Sequence, residues 1–161
     1  MNEQTVENQI GELLRERGWQ LAVAESCTGG LVGHILTNVP GASTYFLGGV
    51  IAYAYHAKVR LLDVSWETLE EHGAVSQVVV QEMADGVQKH LGGDIALAVS
   101  GIAGPGGGTP EKPVGTAWLG VCAGEGRWTK RIQVQGSRLK NKQAFASQAL
   151  QFLRECLIQD E

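Results

Sequence analysis

A three-layer α/β/α sandwich around a mixed β-sheet is the fold class this sequence predicts, and three observations predict it. Short apolar runs alternate with amphipathic helical patterns through the first hundred residues, the order that builds parallel strands covered by helices. A strand pair joined by a glycine-rich turn follows late, which adds antiparallel strands to the same sheet. The 161 residues are 43% hydrophobic and 19% charged, with no repeat and no linker, so residues 1–161 are expected to form one packed domain.

The elements follow in order. Residues 3–18 read as an amphipathic helix, with Val6, Ile10, Leu13 and Leu14 on one face and Gly18 as its stop. Leu21 to Glu25 reads as a buried strand, and Gly29 to Asn38 as the helix after it, ended by Pro40-Gly41. Tyr45 to Tyr53 reads as a strand with close backbone approaches at Gly48 and Gly49. A helical stretch carrying Lys58, Leu61 and Leu62 comes next, then a short helix over Trp66 to His72. Ser76 caps a helix that runs to His90, and Asp94 to Ser100 is an apolar strand. After the glycine-rich loop Gly101 to Gly108, Val114 to Cys122 and Arg127 to Val134 form the strand pair. Ser137 caps a last helix to about Ile158.

Composition excludes several classes. Net charge is −4 with both signs interspersed, so there is no electrostatic footprint for nucleic acid. Three widely spaced cysteines (Cys27, Cys122, Cys156) without a C-x-x-C fit neither a disulfide framework nor a zinc site. His34, His56, His72 and His90 stand at no ligand spacing, so no metal is expected; only His56 is near the candidate site. The polar start Met1-Asn2-Glu3-Gln4 is unlike a signal peptide, and no apolar run reaches the roughly 18 to 20 residues that span a bilayer. A cytoplasmic protein acting on a small molecule, without membrane contact, is expected.

The chemistry concentrates at Ala24-Glu25-Ser26-Cys27-Thr28-Gly29-Gly30, a small-residue turn from strand to helix. A helix start favours negative charge, so it suits an oxyanion or a phosphate. Ser26 and Thr28 are helix caps in the plainer reading; in the functional one Ser26 is a nucleophile that needs a base. Lys58 can be that base when neutral, but at an ordinary pKa only about one lysine in a few thousand is neutral at pH 7. Burial supplies the required shift. Cys27 competes, since a thiol at a helix start has a lowered pKa, and Ser100 is a third candidate at the carboxyl end of its strand. Ser137-Arg138-Leu139-Lys140 matches S-x-x-K, but the companion elements of that motif are missing. The loop after Ser100 lacks the Gly-Lys-Ser/Thr of a P-loop, yet its glycines let backbone amides approach an anion. Arg138 and Lys142, one turn apart, could hold an anion.

Four segments together resemble one family: residues 24–30, Tyr53 to Lys58, Gly73-Ala74-Val75-Ser76, and Ser100 to Pro105 through Glu111 to Thr116. The chain resembles the CinA C-terminal domain family (competence/damage-inducible proteins) over about residues 5 to 155, and stand-alone members include nicotinamide-nucleotide amidases. The resemblance implies a three-layer α/β/α sandwich and a homodimer. It implies metal-free, cofactor-free hydrolysis of nicotinamide mononucleotide (NMN) to nicotinate mononucleotide and ammonia in pyridine nucleotide salvage. The family's catalytic serine matches Ser26 and its lysine Lys58, 32 residues apart, with Tyr53 as the family tyrosine. Amides of Cys27, Thr28 and Gly101 are the implied oxyanion donors. Gly29, Gly30, Ser100, Gly104, Gly106, Gly107, Thr109, Lys112 and Arg138 are the implied substrate contacts. The sequence departs from the family pattern at Ala54 and Tyr55, where Ser and Asn are common, and at Ser137 and Lys142, where Asp and a second Arg are common. The rival classes are a non-catalytic nucleotide-binding module and a protein-interaction domain linked to competence or DNA damage.

Overall fold

Two strands buried on both faces hold the middle of a five-stranded sheet. The computed structural model describes residues 4–160; Met1 to Glu3, with the first residue of the expected N-terminal helix, and Glu161 lie outside the described residues. Strand β1 (Leu21–Glu25) pairs in parallel with β2 (Phe46–Ile51) and with β3 (Ile95–Gly101). Strands β4 (Thr116–Ala123) and β5 (Gly126–Gln133) add on antiparallel, giving the order β2-β1-β3-β4-β5. The sheet is therefore mixed, as expected.

The helices divide between its faces. Helix α1 (Val6–Arg17), helix α2 (Leu31–Leu36) and helix α6 (Arg138–Gln159) pack on one side, over Leu21, Val23, Leu97 and Val99. Helix α3 (Tyr55–Leu62), helix α4 (Trp66–His72) and helix α5 (Gln77–Leu91) pack on the other, over Ala22, Ala24, Ala96 and Ala98. Alternate residues of a strand point to opposite faces, so β1 sends Ala22 and Ala24 one way and Leu21, Val23 and Glu25 the other. The small alanine side lets α5 lie close to the sheet. Gly86 of α5 sits against the Leu62 carbonyl, where a Cβ would collide with backbone, and that contact fixes the end of α3.

Capping explains most boundaries. Thr5, Ser65, Ser76 and Ser137 each accept from the amide three residues on and start α1, α4, α5 and α6. Gly18 ends α1 in the left-handed region (φ 65°). Several expected limits shift. The second helix is shorter than the expected residues 29–38, because Gly29 and Gly30 have positive φ and form the turn before it. Strand β2 stops at Ile51, so Tyr53 lies in the connection to α3 rather than in the strand. Gly49 does meet the Val23 backbone closely, but Gly48 has open space around it. Gly48 serves a register irregularity, with Leu21 opposite Phe46 and Ala22 opposite Gly48, and its φ of 141° suits that bulge. Among the described residues no helix is long and apolar enough to cross a membrane.

Chain order now locates a crevice. From β1 the chain moves outward to β2, then returns across to β3 on the opposite side of β1. In open α/β sheets such a reversal leaves a crevice at the carboxyl ends of the two strands, where ligands bind. Here those ends carry Ser26 and Ser100.

Candidate active site

Ser26 follows the last residue of β1, and strand alternation puts its side chain on the alanine face, toward α3. Lys58 is on the first turns of α3. Helical side chains lean toward the helix start, so its amine reaches back to the chain entering the helix. The Lys58 Nζ lies 2.8 Å from Ser26 Oγ and donates to the carbonyls of Ala52 (2.9 Å) and Tyr53 (3.0 Å). Lys58 is 1% exposed and Ser26 is 7% exposed. Burial pushes the lysine pKa down to about 8. A neutral amine has two N–H groups and one lone pair. As an ammonium, Lys58 donates to Ser26 Oγ as well as to the two carbonyls; once neutral, its two N–H groups stay on the carbonyls and the lone pair is left for the serine hydroxyl.

The expected substrate contacts separate into two groups. Ser26, Cys27, Tyr53, Lys58, Ser100, Gly101, Gly104, Gly106, Gly107 and Arg138 line one cavity of about 270 Å³, with Ala74 and Val75 from the segment before α5. Arg138 bridges its mouth, donating to the Gly104 carbonyl (2.7 Å) and to the Tyr53 hydroxyl (2.8 Å). Ser100 donates to the Ala74 carbonyl at 2.9 Å, tying β3 to that segment.

The structure places the other expected residues elsewhere. Thr28, Gly29 and Gly30 border a separate cavity with His34 and Lys142. Thr109 closes its own turn with Lys112, its amide donating to the Lys112 carbonyl and its hydroxyl accepting from the Lys112 amide. The Lys112 amine is held at 2.6 Å by the His72 carbonyl. His56 packs edge-on against Trp66 rather than into the cavity.

Two expectations about the start of α2 are corrected by one residue that sequence reasoning passed over. Glu25 is 3% exposed, and its carboxylate accepts from Thr28 Oγ1 (2.6 Å) and from the amides of Gly30, Val32 and Gly33. The amides of Leu31 and His34 bond to the Thr28 and Gly30 carbonyls. The amides from Gly30 to His34 are thus already taken by the protein's own groups, and that part of the helix start is closed to a phosphate or an oxyanion. It does not lower the Cys27 pKa either. Cys27 is buried, and desolvation, with Glu25 adding to it, pushes the thiol up to about 12. An acid placed directly before a small-residue turn at a helix start is the sequence signal that could have revealed this cap. Replacing Glu25 by Ala leaves those donors without a partner. We expect a loss of about 3 kcal/mol or more in urea unfolding, with Glu25→Gln less affected.

Among the described residues no group of three His, Cys, Asp or Glu side chains converges as a metal site. Residues 3–157 match the CinA C-terminal domain. A CinA-like protein of Desulfotalea psychrophila is 47% identical over 97% of this chain and 38% of its own length. A CinA-like protein of Salinibacter ruber is 48% identical over 95% of this chain and 37% of its own length. The chain therefore spans less than two-fifths of these relatives. The crystal structure of competence damage-inducible protein A from Klebsiella pneumoniae superposes with a TM-score of 0.92 at 37% identity, covering 95% of both chains. A competence/damage inducible protein of Agrobacterium tumefaciens superposes with a TM-score of 0.88 at 34% identity, covering 98% of both. By sequence along nearly its whole length and by fold, this chain belongs to the CinA C-terminal domain family.

Proposed function

We propose that this chain hydrolyses the carboxamide of NMN to nicotinate mononucleotide and ammonia, with Ser26 as nucleophile and Lys58 as base. The observation that carries this reading is a buried amine 2.8 Å from a buried hydroxyl. A buried lysine opposes stability, and one with its pKa near neutrality is suited to proton transfer. With the pKa at about 8, about one molecule in ten holds the neutral amine at pH 7.

The steps follow from the contacts. Neutral Lys58 takes the Ser26 proton as Oγ attacks the carboxamide carbon. The amides of Cys27 and Gly101, both on the cavity wall, stabilise the oxyanion. Lys58, now an ammonium, protonates the departing nitrogen, and the C–N bond breaks to release ammonia. Water then hydrolyses the acyl-serine, with Lys58 as base again. Guanidinium has five N–H donors, and Arg138 uses two on Gly104 and Tyr53. The remainder are assigned to the ribose phosphate, since Lys112 and the start of α2 are engaged elsewhere.

The test is ammonia release from NMN by the purified chain between pH 6 and 10. The base must be neutral to act, so kcat/KM should rise about tenfold per unit below pH 8 and level off above it. NMN bound without turnover would instead make the chain a nucleotide-binding module.

A further inference from the structure

Ser100 is the closest structural counterpart of Ser26. Glu25 lies opposite Val99 in the parallel pair β1–β3, and the Ser26 amide donates to the Val99 carbonyl at 3.1 Å. The next residues in register are therefore Ser26 and Ser100. Ala22, Ala24, Ala96 and Ala98 all pack on the α3–α5 side, so alternation puts both serine side chains on that same face. Neighbouring strands run about 4.8 Å apart, which sets the two hydroxyls side by side over the cavity they share with Lys58.

The hydroxyls differ in what they can offer. Ser26 faces a base. Ser100 is 1% exposed, and its one proton is committed to the Ala74 carbonyl. Among the described residues no donor reaches its oxygen, so what it turns to the cavity is acceptor capacity only. An oxyanion is met only if the hydroxyl gives up the Ala74 carbonyl. An N–H would be held.

We propose that Ser100 accepts a hydrogen bond from the carboxamide N–H of the substrate and so selects primary amides over esters of the same acid. This rests on the amidohydrolase reading of the site and goes beyond it by assigning the leaving-group contact. Holding one N–H on Ser100 turns the nitrogen lone pair toward Lys58 as the carbon becomes tetrahedral. Lys58 then gives that nitrogen the proton it took from Ser26. The C–N bonding pair stays with nitrogen, and ammonia leaves. An ester oxygen has no hydrogen to give Ser100 and meets a lone pair instead.

The experiment compares NMN with the methyl ester of nicotinate mononucleotide, using wild type, Ser100→Ala and Ser100→Thr. Because kcat/KM reports acylation, the ratio of amide to ester kcat/KM is the readout. Ser100→Ala should lower that ratio about tenfold to a hundredfold, the range for losing one hydrogen bond made in the transition state. Ser100→Thr, which keeps the hydroxyl, should restore it to within several-fold. An equal fall on both substrates in Ser100→Ala would overturn the assignment, since a loosened Ala74 segment or a damaged oxyanion site affects both alike. A wild type that turns over neither substrate overturns the amidohydrolase reading itself, a result distinct from an active wild type with an unchanged ratio.

Discussion

Ser26→Ala should lose NMN hydrolysis by at least about 10³-fold, while Cys27→Ala should lose about tenfold at most. The two residues are adjacent, and a thiol is intrinsically the better nucleophile, so the contrast is sharp. Geometry decides it. Ser26 Oγ lies 2.8 Å from the only base the cavity contains among the described residues. Cys27 belongs to the core cluster on the opposite face of the sheet, although it also touches the cavity wall. Its thiol, pushed up to about 12, holds almost no thiolate at neutral pH. Its neighbour Glu25 has already consumed the positive end of α2 that could have lowered that value. Trapping the acyl-enzyme and locating it by mass spectrometry gives a second readout. An adduct on residue 27, with Ser26→Ala still active, would refute the assignment.

Much of the fold was legible because it rests on signals that local sequence carries. The buried strands β1 and β3 are apolar runs of the right length, and Ser76 and Ser137 stand where caps stand. Whether Ser26 or Cys27 meets the base was not legible from the turn alone. Strand parity settles it, and parity requires knowing that β1 ends at Glu25 and which face α3 covers. The two carbonyls that hold the Lys58 amine belong to Ala52 and Tyr53, and a backbone acceptor leaves no mark on residue type. Ala54 and Tyr55, the departures from the family pattern, come after those carbonyls and leave both bonds to Lys58 intact.

The expected residues that lie outside the Ser26–Lys58 cavity share a physical cause. Thr28, Gly29, Gly30, Thr109 and Lys112 are polar or flexible residues near the motif, and nearness in sequence suggested contact. Local structure engages each of them: the Thr28 hydroxyl is held by the Glu25 carboxylate, Gly29 and Gly30 form a positive-φ turn, and Thr109 and Lys112 are held by their own loop and the His72 carbonyl. Arg138 escapes this because α6 starts beside the cavity, and its long side chain spans from Gly104 to Tyr53.

Lys58→Met should be inactive on NMN and yet more stable than the wild type at pH 7. Moving a lysine pKa from 10.5 to about 8 by desolvation penalises the charged form by roughly 3 kcal/mol. Methionine has similar length and no charge, so it escapes that penalty. It also leaves the Ala52 and Tyr53 carbonyls without their donor, at about 1 kcal/mol each. The net gain expected in urea unfolding at pH 7 is about 1 kcal/mol. The pH dependence makes the attribution specific. Between pH 8 and 10.5 the unfolded chain holds a proton on Lys58 that the folded chain has released, so wild-type stability rises with pH across that window. Lys58→Met lacks this term. The gap between the two proteins should therefore shrink above pH 8, reverse near pH 9, and favour the wild type by about 2 kcal/mol at pH 10.5, where only the lost hydrogen bonds remain. Parallel stability curves from pH 7 to pH 10.5 would mean that the amine enters the fold without giving up its charge, and Lys58 could not then serve as the base.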